Sequence, residues 1–162
     1  MGETYLLKAA EIGAQAGTDK THFLNTNAQR RNLSLGDLTG LTGIGVHLIE
    51  VAPGCETTEH HVHFYEDEAV YVLSGTATAR IGAQNHAIAA GDFIGYRKGG
   101  LAHSIQNTGD EVLRCLVVGE RAAHDVADYP DQGKRIYRNA GQPWDLVAQG
   151  DITQLGGAVG KK

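Results

Sequence analysis

From Ile44 to Val118 the chain keeps one texture: short runs of β-branched and aromatic residues, each closed by a turn that carries glycine. Runs of that length alternate with period two and are too brief for helices, so they read as strands. They fall near 44–52, 60–64, 68–73, 76–82, 85–89, 93–97, 103–107 and 112–118, with turns at Gly75, Gly82, Gly91, Gly99-Gly100 and Gly109. Short strands at regular spacing without intervening helices predict an all-β sandwich or barrel, which hides the unpaired edges of an open sheet. The 22 glycines against 3 prolines agree, because glycine supplies the positive φ that tight turns need.

With 162 residues, one globular domain is expected. It divides into an irregular N-terminal arm over 1–40, a barrel over 41–121 and a C-terminal extension over 122–162. The arm holds a short amphipathic stretch, YLLKAAEIGAQ. In the extension only Tyr129, Ile136, Tyr137 and the segment from Trp144 to Val147 offer burial, and the terminal GGAVGKK is expected to fray. A formal net charge of −5 argues against a nucleic-acid or anionic-membrane surface and leaves a small-molecule ligand as the expected partner. No leader-like apolar run opens the sequence and no span of membrane length follows, so a cytoplasmic protein is expected. Cys55 and Cys115 imply no disulfide, and Cys115, inside VLRCLVVG, reads as a core residue.

Against this apolar pattern stands TTEHHVHFYEDEAVYVLSG, residues 57–75, where titratable groups run straight into a core strand. His61 and His63 are two apart, a spacing that sends both rings to one face of a strand. Glu68 heads the return strand beside them, and His103 opens another. Three neutral imidazoles and a carboxylate facing a barrel interior would each need a polar partner; one divalent ion would satisfy all four. His60, of opposite parity, is expected to face outward, and Glu66 and Asp67 to form a solvated hairpin tip. His22, His47, His86 and His124 read first as ordinary hydrogen-bonded histidines.

These residues resemble the cupin superfamily. Its first motif is met by Gly54, His61-Val-His63, Glu68 and Gly75, with six residues rather than five between Gly54 and His61. Its second is met by Gly91, Gly99, His103 and Asn107, with Arg97 where proline is usual and one extra residue before His103. The flanks RRNLSLGDLTGLTGIGVHL and VGERAAHDVADYPD are similar to those of small bacterial single-domain cupins, some of which carry a sugar-phosphate-isomerase label. The resemblance implies a double-stranded β-helix, or jelly-roll, barrel, one central metal ion held by His61, His63, Glu68 and His103, and a homodimer. The mixed N/O set accepts manganese, iron, nickel, copper or zinc.

Three functions follow from such a site. The first is a metal-dependent isomerase or epimerase for a small sugar-like or sugar-phosphate substrate, the ion polarising a hydroxy-carbonyl. Here Arg97, with Lys98, is expected to grip an anionic group, and His47 or Glu50, of opposite parity, to reach the cavity. The second is an iron-dependent dioxygenase, and the third a non-catalytic cupin that binds a small molecule.

Overall fold

The structure, a computed structural model, describes residues 4–155. Among the described residues two short α-helices occur, α1 (Ala9–Gly13) and α2 (Leu35–Leu38), with single 3-10 turns at Pro130–Gln132 and Gln149–Asp151, and most of the rest is strand and turn. The strands are β1 (Thr18–His22), β2 (Asn25–Ser34), β3 (Ile44–Val51), β4 (Val62–His63), β5 (Glu68–Ser74), β6 (Thr76–Ile81) and β7 (Gln84–Ala89). They continue as β8 (Phe93–Tyr96), β9 (His103–Gln106), β10 (Leu113–Glu120), β11 (His124–Tyr129), β12 (Lys134–Asn139) and β13 (Asp145–Ala148). All eight expected strands are present, in an all-β, wholly antiparallel fold.

One face is a six-stranded sheet in the order β1-β2-β3-β10-β5-β8. The other is built from a four-stranded sheet, β13-β12-β11-β4, and a three-stranded sheet, β7-β6-β9. These two are joined by a bridge between His61 and His103, which exchange both backbone hydrogen bonds at 3.0 and 2.8 Å. The strands are expected to enclose a core between these faces, and the burial pattern shows that they do.

Inward positions of the six-stranded sheet change character from one end to the other. Val51 pairs with Leu113, and Ile49 and Val72 flank Cys115; all five are buried in one aliphatic cluster with Ala77, Ala79 and Ile105 from the opposite face. One row on, His47 and Val70 flank Val117, and in the next row Gly45 and Glu68 flank Gly119. The same strand alternation therefore packs one end with hydrocarbon and lines the other with polar groups. Burial pushes the Cys115 thiol up to about 11, which leaves it an inert core group.

The terminal segments depart from expectation. The N-terminal segment, as far as it is described from residue 4, is not an irregular arm: β1 and β2 form a hairpin, and β2 extends the main sheet by pairing with β3. The alternation there runs through Asn, Gln, Arg and Thr, so no apolar period betrayed it. The extension is likewise ordered as β11 to β13, which pair with one another and, through β11, with β4. The GGAVGKK terminus lies outside the described residues. Among the described residues no helix is long and apolar enough to cross a membrane.

Candidate metal centre

The strand pairing brings His61, His63, Glu68 and His103 together. His61 and His63 point to the same side of their strand, with Nε2 atoms 3.1 Å apart. The His61–His103 bridge sets those two rings at 4.6 Å between centroids. Glu68 reaches in from β5, its Oε1 3.8 Å from His103 Nε2, too long for a hydrogen bond and close enough for charge to act. His61, His63 and Glu68 each offer one donor atom within 4.8 Å of the others.

The tautomers follow from what the other ring nitrogen touches. His61 Nδ1 lies 2.8 Å from the Glu59 carbonyl, His63 Nδ1 2.6 Å from an Asp125 carboxylate oxygen, and His103 Nδ1 3.3 Å from the Leu101 carbonyl. Each of these oxygens can only accept, so each Nδ1 carries the proton. In the neutral rings all three Nε2 atoms then present lone pairs to the centre. His103 Nε2 is buried without a hydrogen-bond partner, while its ring stacks on Tyr96 at 3.5 Å between centroids and 4° between planes. Lone pairs turned toward one another in a buried space are unfavourable unless a cation lies between them, so the donor set fits a divalent ion.

Protonation states agree. Burial, then the neighbouring His103 and His63, pushes His61 down to about 3, so it stays neutral. Burial works to raise the Glu68 carboxyl, but the polar lining it faces, His103 first, more than offsets this and lowers it to about 2. Glu68 is therefore ionised, with a quarter of its side chain still exposed to the cavity.

A second set of charges stands behind His63, with little trace of it in the residue pattern. Asp125, Glu66 and His63 present donor atoms within 4.8 Å of one another, but the Arg138 guanidinium already binds both carboxylates. That cluster has its cation and acts instead as a brace. Asp125 is 1% exposed, accepts from His63 and from Arg138 at 2.8 Å, and is held at about 2 by those partners against a burial effect that would raise it. Asp125 and Arg138 are register partners across β11 and β12, seventy residues downstream of the motifs' start. A carboxylate at an inward position, two before Ala127 and four before Tyr129, was the available signal.

Several expectations are corrected by burial. Glu66 is no solvated tip: it is 7% exposed, binds Arg138 and accepts from the Ala122 amide at 2.9 Å. His60 is 4% exposed rather than solvated, buried along with its neighbours Glu59 and His61. His22 lines the cavity, where burial and the Arg30 charge push it down to about 4. Asp67 does lie at the surface, as do His86 and His124.

The two expected substrate contacts part company. His47 lines a cavity of about 480 Å³ above the histidine cluster, and Glu50, of opposite parity, pairs outside with Arg114 at 2.7 Å. Asn32 Nδ2, which can only donate, lies 3.3 Å from His47 Nδ1, so Nε2–H is free to donate. Arg97 does not line this cavity. Glu68 pairs with Tyr96, so Tyr96 takes the inward place and Arg97, one residue on, turns to solvent. Lys98 is likewise engaged outside, 3.2 Å from Glu120.

Comparison with known proteins now gives this geometry a family. The Cupin domain family matches residues 47–119. A crystal structure from Acidithiobacillus ferrooxidans, provisionally named a sugar phosphate isomerase, is 52% identical over 93% of this chain and 96% of its own, with a TM-score of 0.91. A sugar phosphate isomerase from a cupin superfamily, from Silicibacter pomeroyi, is 26% identical over 93% of this chain and 97% of its own, with a TM-score of 0.79. A predicted oxalate decarboxylase from Thermotoga maritima, 22% identical with a TM-score of 0.56 over 72% of this chain and 99% of its own, shares the fold. No curated protein matches the chain. The chain belongs to the cupin superfamily, and its fold is that family's jelly-roll barrel.

Proposed function

We propose that His61, His63, His103 and Glu68 hold one divalent metal ion and that the protein is a metal-dependent isomerase or epimerase acting on a small sugar-phosphate-like substrate. The observation that supports this is the grouping of His61, His63 and an ionised Glu68 within 4.8 Å of one another, with His103 Nε2 3.8 Å from Glu68 and each imidazole oriented by an acceptor at its Nδ1. Such a site, when loaded, supplies a Lewis acid for a carbonyl and its neighbouring hydroxyl.

The protein's own residues define what can bind beside it. His47 donates Nε2–H into the cavity from β3, suited to a substrate oxygen. Ile49, Val70 and Val117 form the apolar floor that separates this space from the packed core, and Tyr129 borders it from β11. A volume of about 480 Å³ suits a phosphorylated sugar of a few carbons. The sugar-phosphate names of the two similar cupins support the same substrate class. A homodimer belongs to the same proposal: Tyr71 and Phe93, register partners on the outer sheet face, are 43% and 68% exposed and offer an apolar patch to a second copy.

The test is elemental analysis of purified protein followed by a screen for interconversion of aldose and ketose phosphates, with oxygen uptake recorded in parallel. Metal-dependent isomerisation lost in His61→Ala supports the reading. Metal-dependent oxygen consumption points to the dioxygenase instead, and bound metal with no turnover of either kind to a binding protein.

A further inference from the structure

The hairpin that replaces the expected irregular arm carries two cations whose placement the metal chemistry leaves unexplained. Lys20 and Arg30 are register partners across β1 and β2, and both line the cavity. Like charges directly opposite on one sheet face repel, so a sheet does not normally place them there without a reason. The outer face of the same hairpin shows the ordinary solution. Asp19 and Arg31, the next register pair, are of opposite sign and form an ion pair at 3.3 Å. Arg31 is also the register partner of Glu50 on β3.

On the inner face no such partner exists among the described residues. Arg30 is half-buried, and its one hydrogen bond goes to the Thr57 carbonyl, which leaves most of its five donors for a ligand. Lys20 takes part in no ion pair among the described residues. The remaining cavity cations differ: Arg121 is paired with Asp37 at 2.6 Å, and Arg138 with Asp125 and Glu66. The anion whose charge acts on Arg30 is Glu68, which makes no ion pair with it and groups with His61 and His63 instead.

We propose that Lys20 and Arg30 form the subsite that binds the phosphoryl dianion of the substrate, with the β1–β2 hairpin acting as its clamp. This rests on the sugar-phosphate reading above and deepens it. Two opposed cations need two negative charges, which one phosphate monoester supplies and one carboxylate does not. The planar guanidinium takes two phosphate oxygens side by side, and the ammonium takes the third as a point charge. Arg97, the cation expected to do this, faces solvent, and the hairpin supplies the charge in its place.

The experiment is calorimetric titration of inorganic phosphate into the full-length protein, with metal content measured on the same samples. Wild-type protein binds phosphate; Lys20→Met and Arg30→Gln each weaken it about tenfold or more, and Arg31→Gln on the outer face leaves it unchanged. Because Arg30 also braces Thr57, its variant can unfold, and Lys20→Met, whose side chain holds nothing in place, keeps the test valid. Phosphate binding that is absent, or equal in wild type and Lys20→Met, overturns the subsite. If phosphate binds through Lys20 while no isomerisation is found, the subsite stands and the isomerase reading falls. If unphosphorylated sugars are turned over and phosphate does not bind, the reverse holds.

Discussion

His63 Nδ1 and Asp125 Oδ2 lie 2.6 Å apart although 62 positions separate them in the chain. The contact fixes the His63 tautomer and aims Nε2 at the centre shared with His61, and Arg138 in turn fixes Asp125. A carboxylate behind a ligating imidazole raises its basicity and locks its orientation. Asp125→Asn, isosteric but neutral, is expected to weaken metal binding by about 10- to 100-fold, as measured by competition with a chromophoric chelator. An unchanged affinity in a folded variant would show that Asp125 serves only Arg138.

Metal should stabilise the fold by mass action, because the four donors come from three separate segments, that of His61 and His63 and those of β5 and β9, and meet only in the native state. At free metal about a hundredfold above Kd the gain is about 2.7 kcal/mol, seen as a higher Tm than after chelation. In Glu68→Gln and His103→Ala the difference between loaded and chelated protein should shrink or vanish. A chelator-insensitive Tm in the wild type, on protein shown to contain metal, contradicts the shared centre.

Acid should destabilise the metal-free protein from about pH 6.5 downward. His61 and His22 sit at about 3 and about 4 in the fold against an ordinary value of 6.5. Below 6.5 the unfolded chain therefore takes up protons that the fold refuses, and stability falls until pH passes the folded values. Glu68 and Asp125, both held at about 2, act in the same direction but over a lower window: their contribution is complete above their ordinary 4.5 and 3.8 and is lost only below them. A fall in Tm between about pH 7 and about pH 5 thus reports the histidines. A flat profile over that range would mean that neither is buried neutral.

Asn107, the last residue of the second motif, is structural. It is fully buried; its amide donates to the Val51 and Glu111 carbonyls at 2.8 Å each, and its carbonyl accepts from the Gly109 amide at 3.0 Å. Asn107→Ala strands three backbone groups beside the aliphatic core and should cost about 2–4 kcal/mol in chemical denaturation. Metal affinity in the folded fraction should stay near wild type. A loss of metal with unchanged stability would assign Asn107 to the site instead.

Among the barrel strands the alternation of Val70, Val72, Cys115 and Leu113 with exposed neighbours was legible, because a hydrocarbon core leaves a period-two trace in the residues that face it. The hairpin of β1 and β2 left no such trace. Its inner face reads Lys20, Arg30 and Asn32, as polar as its outer one, since it lines a cavity rather than a core. Glu66 and His60 were misplaced for a related reason: burial of a polar side chain depends on what covers it, and Arg138 arrives from a strand far downstream.

The fold class and the candidate ligands were already written in the chain, since strand alternation and the two-residue spacing of His61 and His63 are local, and Glu68 and His103 each open a strand. Which nitrogen each imidazole presents, that Asp125 and Arg138 stand behind His63, and that Tyr96 rather than Arg97 faces inward were settled by the packing of distant strands. Those outcomes depend on strand register between distant segments, and where the facing residues are polar no apolar alternation marks that register, although a one-residue slip would turn every one of these side chains to the opposite face.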